Sequence, residues 1–174
     1  MRLFHFSDDP GIARFEPRPV RVSSARVPGR EWLNGPLVWA IEEARQAMYL
    51  FPRDCPRILV WPKATTTAQD RAAWLGQGSQ AAYVEARWLT ALRAARIYRY
   101  ELPTDSFESL DDAGMWVSRT PVTPLAREQL SDLPGVLRTL GVDLRVVESL
   151  TPLRGLWETS LHASGIRLRN AVGW

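Results

Sequence analysis

Cysteine is almost missing from the chain. Cys55 is the single one in 174 residues, so no internal disulfide can form and no thiolate zinc site can be assembled within one chain. Histidine is nearly as scarce, with His5 and His162 alone. With so few soft donors, a tight transition-metal site is not expected. Lysine is reduced to Lys63, and every other basic residue among the 22 is arginine. No apolar run approaches the roughly 18 residues that a membrane-spanning helix needs, and the first residues lack the apolar stretch of a signal peptide. The expected location is therefore a reducing cytoplasm, without a membrane. Several chemistries lack their motifs as well. There is no glycine-rich loop ending in Lys-Ser or Lys-Thr, no Gly-x-Ser-x-Gly elbow, no His-Glu-x-x-His and no acidic calcium loop.

What is present is an ordinary globular composition with one excess. Apolar residues make up 45% and charged residues 24%, enough for a core that needs no staple at this length. The eight tryptophans add large apolar area, each with an N–H that seeks a partner, which points to an aromatic core or pocket. The net charge is only +3 and the arginines form no run, so a nucleic-acid partner is not expected. Arginine does suit bidentate recognition of phosphate or carboxylate.

The pattern along the chain predicts an α+β protein, a single globular domain over 1–174 with mixed or antiparallel sheets and short helices. Arg2 to Ser7 alternates and reads as a strand. A turn at Asp8 to Gly11 and a short helical turn through Ile12 and Phe15 follow. The Pro-, Arg-, Ser- and Gly-rich stretch 16–36 reads as a long exposed loop. Leu37 to Ile41 reads as a buried strand, Glu42 to Leu50 as a helix, and Phe51 to Arg57 as a rigid turn flanked by prolines. Strands are expected at Ile58 to Trp61, Ala81 to Glu85, Arg96 to Leu102, Met115 to Ser118, Val122 to Gln129 and Val142 to Val147. Short helices are expected around Ala72 to Leu75 and Arg87 to Arg93. Asp105 to Gly114 reads as an acidic loop. Leu133 to Leu140 is a short helix closed by Gly141 at C′. Thr151 caps a last helix reaching Ala163, with Pro152 at its first position, and Ile166 to Leu168 forms a last strand.

Several polar groups stand out as site candidates. Alternation sets Leu3, His5 and Ser7 on one face of the first strand and Phe4 and Phe6 on the other. If the phenylalanines face the core, His5 and Ser7 lie roughly 7 Å apart on the opposite face, placed to hydrogen-bond a ligand. Trp39 and Tyr49 can stack on a flat ring. Arg53, Asp54, Cys55 and Arg57 crowd one turn, where arginines lower a thiol pKa and bind anions. Glu101 is a carboxylate on a strong strand, a candidate general base. His162 falls where a cation favours a helix C-terminus.

Two resemblances rest on these segments. The strings LFHFSDDPGIARFEPRP, VWAIEEARQAMYLFPRDCPR, WVSRTPVTPL and SGIRLRNA resemble an uncharacterised bacterial family that carries only a domain-of-unknown-function label. They span nearly the whole chain and bring no activity with them. The layout of residues 1 to 130 is similar to small ADP-ribosyltransferases of the rifampicin-modifying type. Those begin with an aromatic-His-Gly-Thr strand whose histidine binds the ribose of NAD; here the string is Phe4-His5-Phe6-Ser7. The resemblance implies an ADP-ribosyltransferase-like fold and an NAD or nucleotide site with His5, Ser7 and Trp39 as binding residues, to which the stacking and anion-binding candidates Tyr49 and Arg53 are added. His5 and Glu101 would be the catalytic pair. The family's glutamate would fall near Met115 or Trp116, so Glu101 or Asp105 is expected to substitute. Gly-Thr is replaced by Phe6-Ser7, and Trp39 stands for a tyrosine.

Three functions stay open at this point. One is an NAD- or nucleotide-binding protein of the ADP-ribosyltransferase kind. The second is a non-catalytic module that binds an anionic small molecule or a protein partner through Arg18, Arg53 and Arg57. The third is a hydrolase or phosphotransferase acting on a nucleotide with His5 and Asp54.

Overall fold

The computed structural model describes residues 1–174 and has the α+β class expected from the sequence. The chain divides into two compact units, each drawn from two segments: Met1–Gln46 with Tyr98–Gln129, and Ala47–Ile97 with Leu130–Trp174. Each unit has its own sheet. The six-stranded sheet contains β1 (Leu3–Ser7), β2 (Val38–Glu42), β5 (Ile97–Leu102), β6 (Phe107–Ser109), β7 (Met115–Ser118) and β8 (Ala126–Leu130), in the order β6-β7-β2-β1-β5-β8. The four-stranded sheet contains β3 (Arg57–Trp61), β4 (Gln80–Glu85), β9 (Val142–Val147) and β10 (His162–Ile166), in the order β10-β3-β4-β9. β4 and β9 pair in parallel, from Gln80↔Val142 to Glu85↔Val147, whereas β1 with β2 and with β5, β2 with β7, β6 with β7, and β3 with β4 and with β10 pair antiparallel.

In the first unit one core cluster holds Leu3, Phe15, Val38, Ala40, Tyr100, Leu102, Phe107 and Val122. A second holds Leu33, Leu37, Leu110 and Val117, with Trp32, Trp39 and Met115 packed on it. The second unit is centred on Ile58, Val60, Ala81, Tyr83, Leu150, Leu156 and Leu161. Every residue of β3 is buried, which is why its sequence is a continuous apolar run after Arg57 rather than an alternating one. The helices are short and locally specified. Thr67 caps α1 (Ala68–Trp74) by accepting from Asp70 N at 3.1 Å, and Asp132 caps α3 (Leu133–Thr139) by accepting from Gly135 N at 3.3 Å. Gly141, at φ 72°, closes α3 as anticipated. The third helix is α2 (Leu89–Ala94).

Several segments depart from the sequence reading. Glu43–Tyr49 is 3-10 helical, not α; Pro52, four residues after Met48, has no N–H to offer the Met48 carbonyl, which accepts twice from the Arg57 guanidinium instead. Thr151–Glu158 is also 3-10, with no side-chain cap; Thr151 Oγ1 donates instead to the carbonyl of Val172. That helix ends early because Asp70 accepts from both Ser160 N and Ser160 Oγ, at 2.7 and 2.6 Å. His162 therefore opens β10 rather than ending a helix, and its ring stacks on Trp61 at 4.2 Å. The acidic loop after β5 contains β6, since Phe107 buries itself in the core and draws Phe107↔Ser118 to Ser109↔Trp116 into register. Phe15 forms no helical turn; it makes a two-way backbone bridge with Val122. The stretch 16–36 is largely exposed, yet it carries the turn Glu31–Asn34, which buries Leu33, and a bridge from Arg18 to Leu37. No helix is long and apolar enough to cross a membrane.

Candidate functional site

In the first unit the site candidates gather on β1 and its neighbours. β1 pairs with β5 over its whole length, from Leu3↔Leu102 to Ser7↔Tyr98. With β2 it pairs only at Leu3↔Glu42 and Phe4↔Ile41. The Glu43 N to Arg2 O bond marks the bonded positions of this ladder, so a continued register would have Phe6 donate to the carbonyl of Trp39. The His5 side chain does so instead: Nδ1 lies 2.8 Å from Trp39 O. A carbonyl only accepts, so Nδ1 carries the hydrogen, and in the neutral ring Nε2 is the acceptor nitrogen. The imidazole thus spans the splay between two strands.

Cross-strand partners share a face, and this separates the candidates. Leu3, His5 and Ser7 lie on the face of Tyr98, Tyr100 and Leu102, which is the core side. Phe4 and Phe6 lie on the face of Glu101 and Arg99. The expected arrangement is thus inverted: Phe4 is buried, but beneath two cations, Arg2 and Arg99, whose guanidinium carbons lie 4.9 and 4.7 Å from its ring centroid. On the His5 side Phe15 packs against the imidazole at 4.6 Å and against Tyr100 edge-on at 5.2 Å. The Tyr100 hydroxyl donates to Asp9 O at 2.7 Å and accepts from Ile12 N at 3.3 Å, fixing the loop that carries Phe15. Ser7 is 8% exposed and its hydroxyl accepts from Asp9 N.

Glu101 is not brought to His5. It lies on the opposite face, held by Arg2 through two bonds of 3.0 and 2.7 Å, and that guanidinium lowers its pKa. Trp39 also splits from His5: its carbonyl meets the imidazole, but its indole lies on the Phe4 side, in the cluster around Val117, with Nε1 buried and unpartnered. Asp105 is exposed in the connection before β6. The carboxylate that does share the His5 face is Glu42, the cross-strand partner of Leu3; its Oε1 accepts from Trp116 Nε1 at 2.7 Å. Glu42 escaped notice in the sequence because it reads as the first acidic residue of a helix. Its place as the last residue of β2 is the signal, and only the register reveals it.

Tyr49 and Arg53 belong to the second unit. There two of the strings singled out above dock on each other. Arg167 Nε donates to Arg53 O at 3.2 Å and Asn170 Nδ2 to Asp54 O at 2.8 Å. Arg57, 3% exposed, donates to Met48 O twice, at 3.0 and 2.8 Å, and to Cys55 O at 3.0 Å. These bonds tie the backbone of the turn to Arg57 and to the segment that carries Arg167 and Asn170. Cys55, however, is fully buried, and burial pushes its thiol up to about 11, against the lowering expected from flanking arginines. Burial also raises the Tyr49 phenol, opposed by Arg57 and Arg167. No group of three His, Cys, Asp or Glu side chains is placed to hold a metal ion.

Residues 4–171 match the model of a family described as "Family of unknown function (DUF6886)". The chain belongs to that family, in line with the first of the two resemblances. No curated protein and no solved structure matches it.

Proposed function

We propose that this protein binds a nucleotide of the NAD class at the splay between β1 and β2, with the ribose at His5. The carrying observation is the imidazole that replaces a ladder N–H at Trp39 O. It fixes the tautomer and turns Nε2 into an acceptor, the property a ribose hydroxyl needs. Phe15 and Tyr100 supply aromatic walls beside it. The similarity of Phe4-His5-Phe6-Ser7 to the first strand of small ADP-ribosyltransferases supports the same ligand class.

Binding, not group transfer, is the activity proposed. A glycosidic transfer needs a carboxylate beside the reacting ribose, and Glu101 is turned away and neutralised by Arg2. Glu42 is the acid on the His5 face, occupied by the Trp116 indole. For the hydrolase reading, His5 lies in the first unit and Asp54 in the second, where the Asp54 carbonyl accepts from Asn170. Calorimetric titration with NAD tests the proposal. Wild type is expected to bind saturably and His5→Ala to lose about tenfold or more in affinity, the equivalent of roughly 1.4 kcal/mol. No binding to wild type, or equal binding to both, removes it.

A further inference from the structure

We propose that β9 is a self-association edge. Two copies of this chain pair β9 (Val142–Val147) antiparallel to β9 about a two-fold axis through Leu144, which joins their four-stranded sheets into one. The surface lies within the unit Ala47–Ile97, Leu130–Trp174 and is independent of the nucleotide reading at His5.

β9 pairs with β4 along all six of its residues and ends the sheet, with no strand on its far side. An edge strand offers outward N–H and C=O groups to any chain that lines up with them, and proteins blunt such edges by shortness, charge, proline or a bulge. The other edges are blunted. β6 has three residues, with Glu108 exposed. β8 exposes Arg127, Glu128 and Gln129 in a row. β10 contains Gly165, and glycine weakens a strand. β9 is the longest of these edges, reads VDLRVV without proline, glycine or lysine, and leaves Val146 43% exposed. Its two charged residues stand on one face, two positions apart. Arg145 Nε donates to Asp143 Oδ2 at 2.7 Å, and its Nη1 donates to the Tyr83 hydroxyl at 2.7 Å and to the Trp74 carbonyl at 2.6 Å. The guanidinium is thus fixed before a partner arrives, which lowers the ordering cost of association. The Asp143 carboxylate beside it stays exposed.

The charges select the partner and the register. Residues directly opposite in an antiparallel pair aim their backbone groups the same way, and that direction alternates along a strand. Two copies of one strand therefore pair residues separated by an even number, and the two-fold axis passes through a residue. An axis at Asp143 sets that carboxylate against itself, and an axis at Arg145 sets two guanidinium groups together, both unfavourable. An axis at Leu144 sets Asp143 opposite Arg145 of the second copy, twice, and Val146 opposite Val142. Like charges face each other nowhere along the strand. β8 has no such register: Arg127 and Glu128 are adjacent, so they never stand opposite each other in a pair of identical strands. β9 is thus complementary to itself, and the contact is isologous and closes at two copies.

Sedimentation velocity over a concentration series tests the edge. Wild type is expected to pass from monomer to dimer between about 1 and 300 µM. Asp143→Arg and Arg145→Glu, each alone, set like charges opposite at both ends of the ladder and are expected to raise the dissociation constant about tenfold or more. A 1:1 mixture of the two variants sets opposite charges together again at both ends and is expected to recover wild-type association. Arg145 also holds Trp74 and Tyr83, so a measurement that leaves it intact is paired with these. Leu144→Cys places a thiol on the two-fold axis, where opposite Cα atoms lie roughly 4.5–5.5 Å apart, within disulfide reach. Mild oxidation is expected to cross-link this variant into a dimer, and adding Asp143→Arg to suppress the cross-link. The proposal is overturned if wild type stays monomeric throughout the series, if Asp143→Arg associates as wild type does, or if Leu144→Cys gives no cross-linked dimer.

Discussion

The Nδ1 of His5 lies 2.8 Å from the carbonyl oxygen of Trp39, at the point where the β1–β2 ladder has already stopped. A side chain thus does the work of a backbone N–H, and the two strands part without leaving that carbonyl unsatisfied. In an antiparallel sheet such a gap is a place where a ligand can approach backbone, and His5 stands at its edge.

The loop over this histidine depends on one hydroxyl. Tyr100 is 1% exposed, and its OH serves both Asp9 O and Ile12 N. Tyr100→Phe preserves the ring contact with Phe15 and deletes both bonds. A loss of about 1–3 kcal/mol in chemical denaturation is expected, since Asp9 O and Ile12 N lose a partner where protein covers them. Amide hydrogen exchange of residues 8–15 should accelerate, whereas that of β3 and β4 should not.

Glu101 predicts an acid-side effect on stability and none on binding. Its folded pKa lies below its ordinary 4.5 because of Arg2. The stabilisation is therefore present above about 4.5 and is lost as the pH falls through the lower folded value. Glu101→Gln removes that dependence, so urea midpoints of wild type and variant should converge as the pH drops below 4. NAD affinity at neutral pH should be the same in both, because the carboxylate lies on the far face of the sheet from His5.

Cys55 predicts the reverse on the alkaline side. Burial raises its thiol from an ordinary 9.0 to about 11, so stability is full below pH 9 and falls as the pH rises toward 11, by on the order of 2–3 kcal/mol. Arg57, lowered to about 10 from 12.5, acts with the opposite sign from pH 10 upward. The clean window is pH 9 to 10, where Cys55→Ala should show a shallower loss than wild type. In the native protein at pH 7.5 the thiol should resist iodoacetamide, then react on addition of denaturant.

Much of the fold was legible from local patterns. Ile58 to Trp61 is continuous and apolar because its strand is covered on both faces, and Leu133 to Gly141 carries its own stop signal. What local pattern could not carry was long-range competition for backbone groups. Glu43–Tyr49 has good helix formers yet forms a 3-10 helix, and Arg57, nine residues after Met48, takes the carbonyl that Pro52 cannot serve. His162 follows a helix-like run that Asp70, distant in sequence, cuts short at Ser160.

The site shows the same division. Alternation correctly grouped Leu3, His5 and Ser7 on one face, yet it could not say which face the core would choose. Pairing to β5 decided it, by setting Tyr100 and Leu102 opposite His5 and Leu3. The same register exposed Glu42 and withdrew Glu101. Arg167 appeared in the sequence only within the string SGIRLRNA, because a left-handed arginine leaves no compositional trace.

With two histidines in the chain, the imidazole NMR signals offer the most direct test of the central claim. His5 and His162 are assignable by single substitution. On titration with NAD, the His5 ring resonances should move saturably, with the Nδ1–H retained, while those of His162, stacked on Trp61, stay fixed. Unmoved His5 resonances at saturating NAD, or equal shifts at both rings, would contradict a nucleotide site at His5.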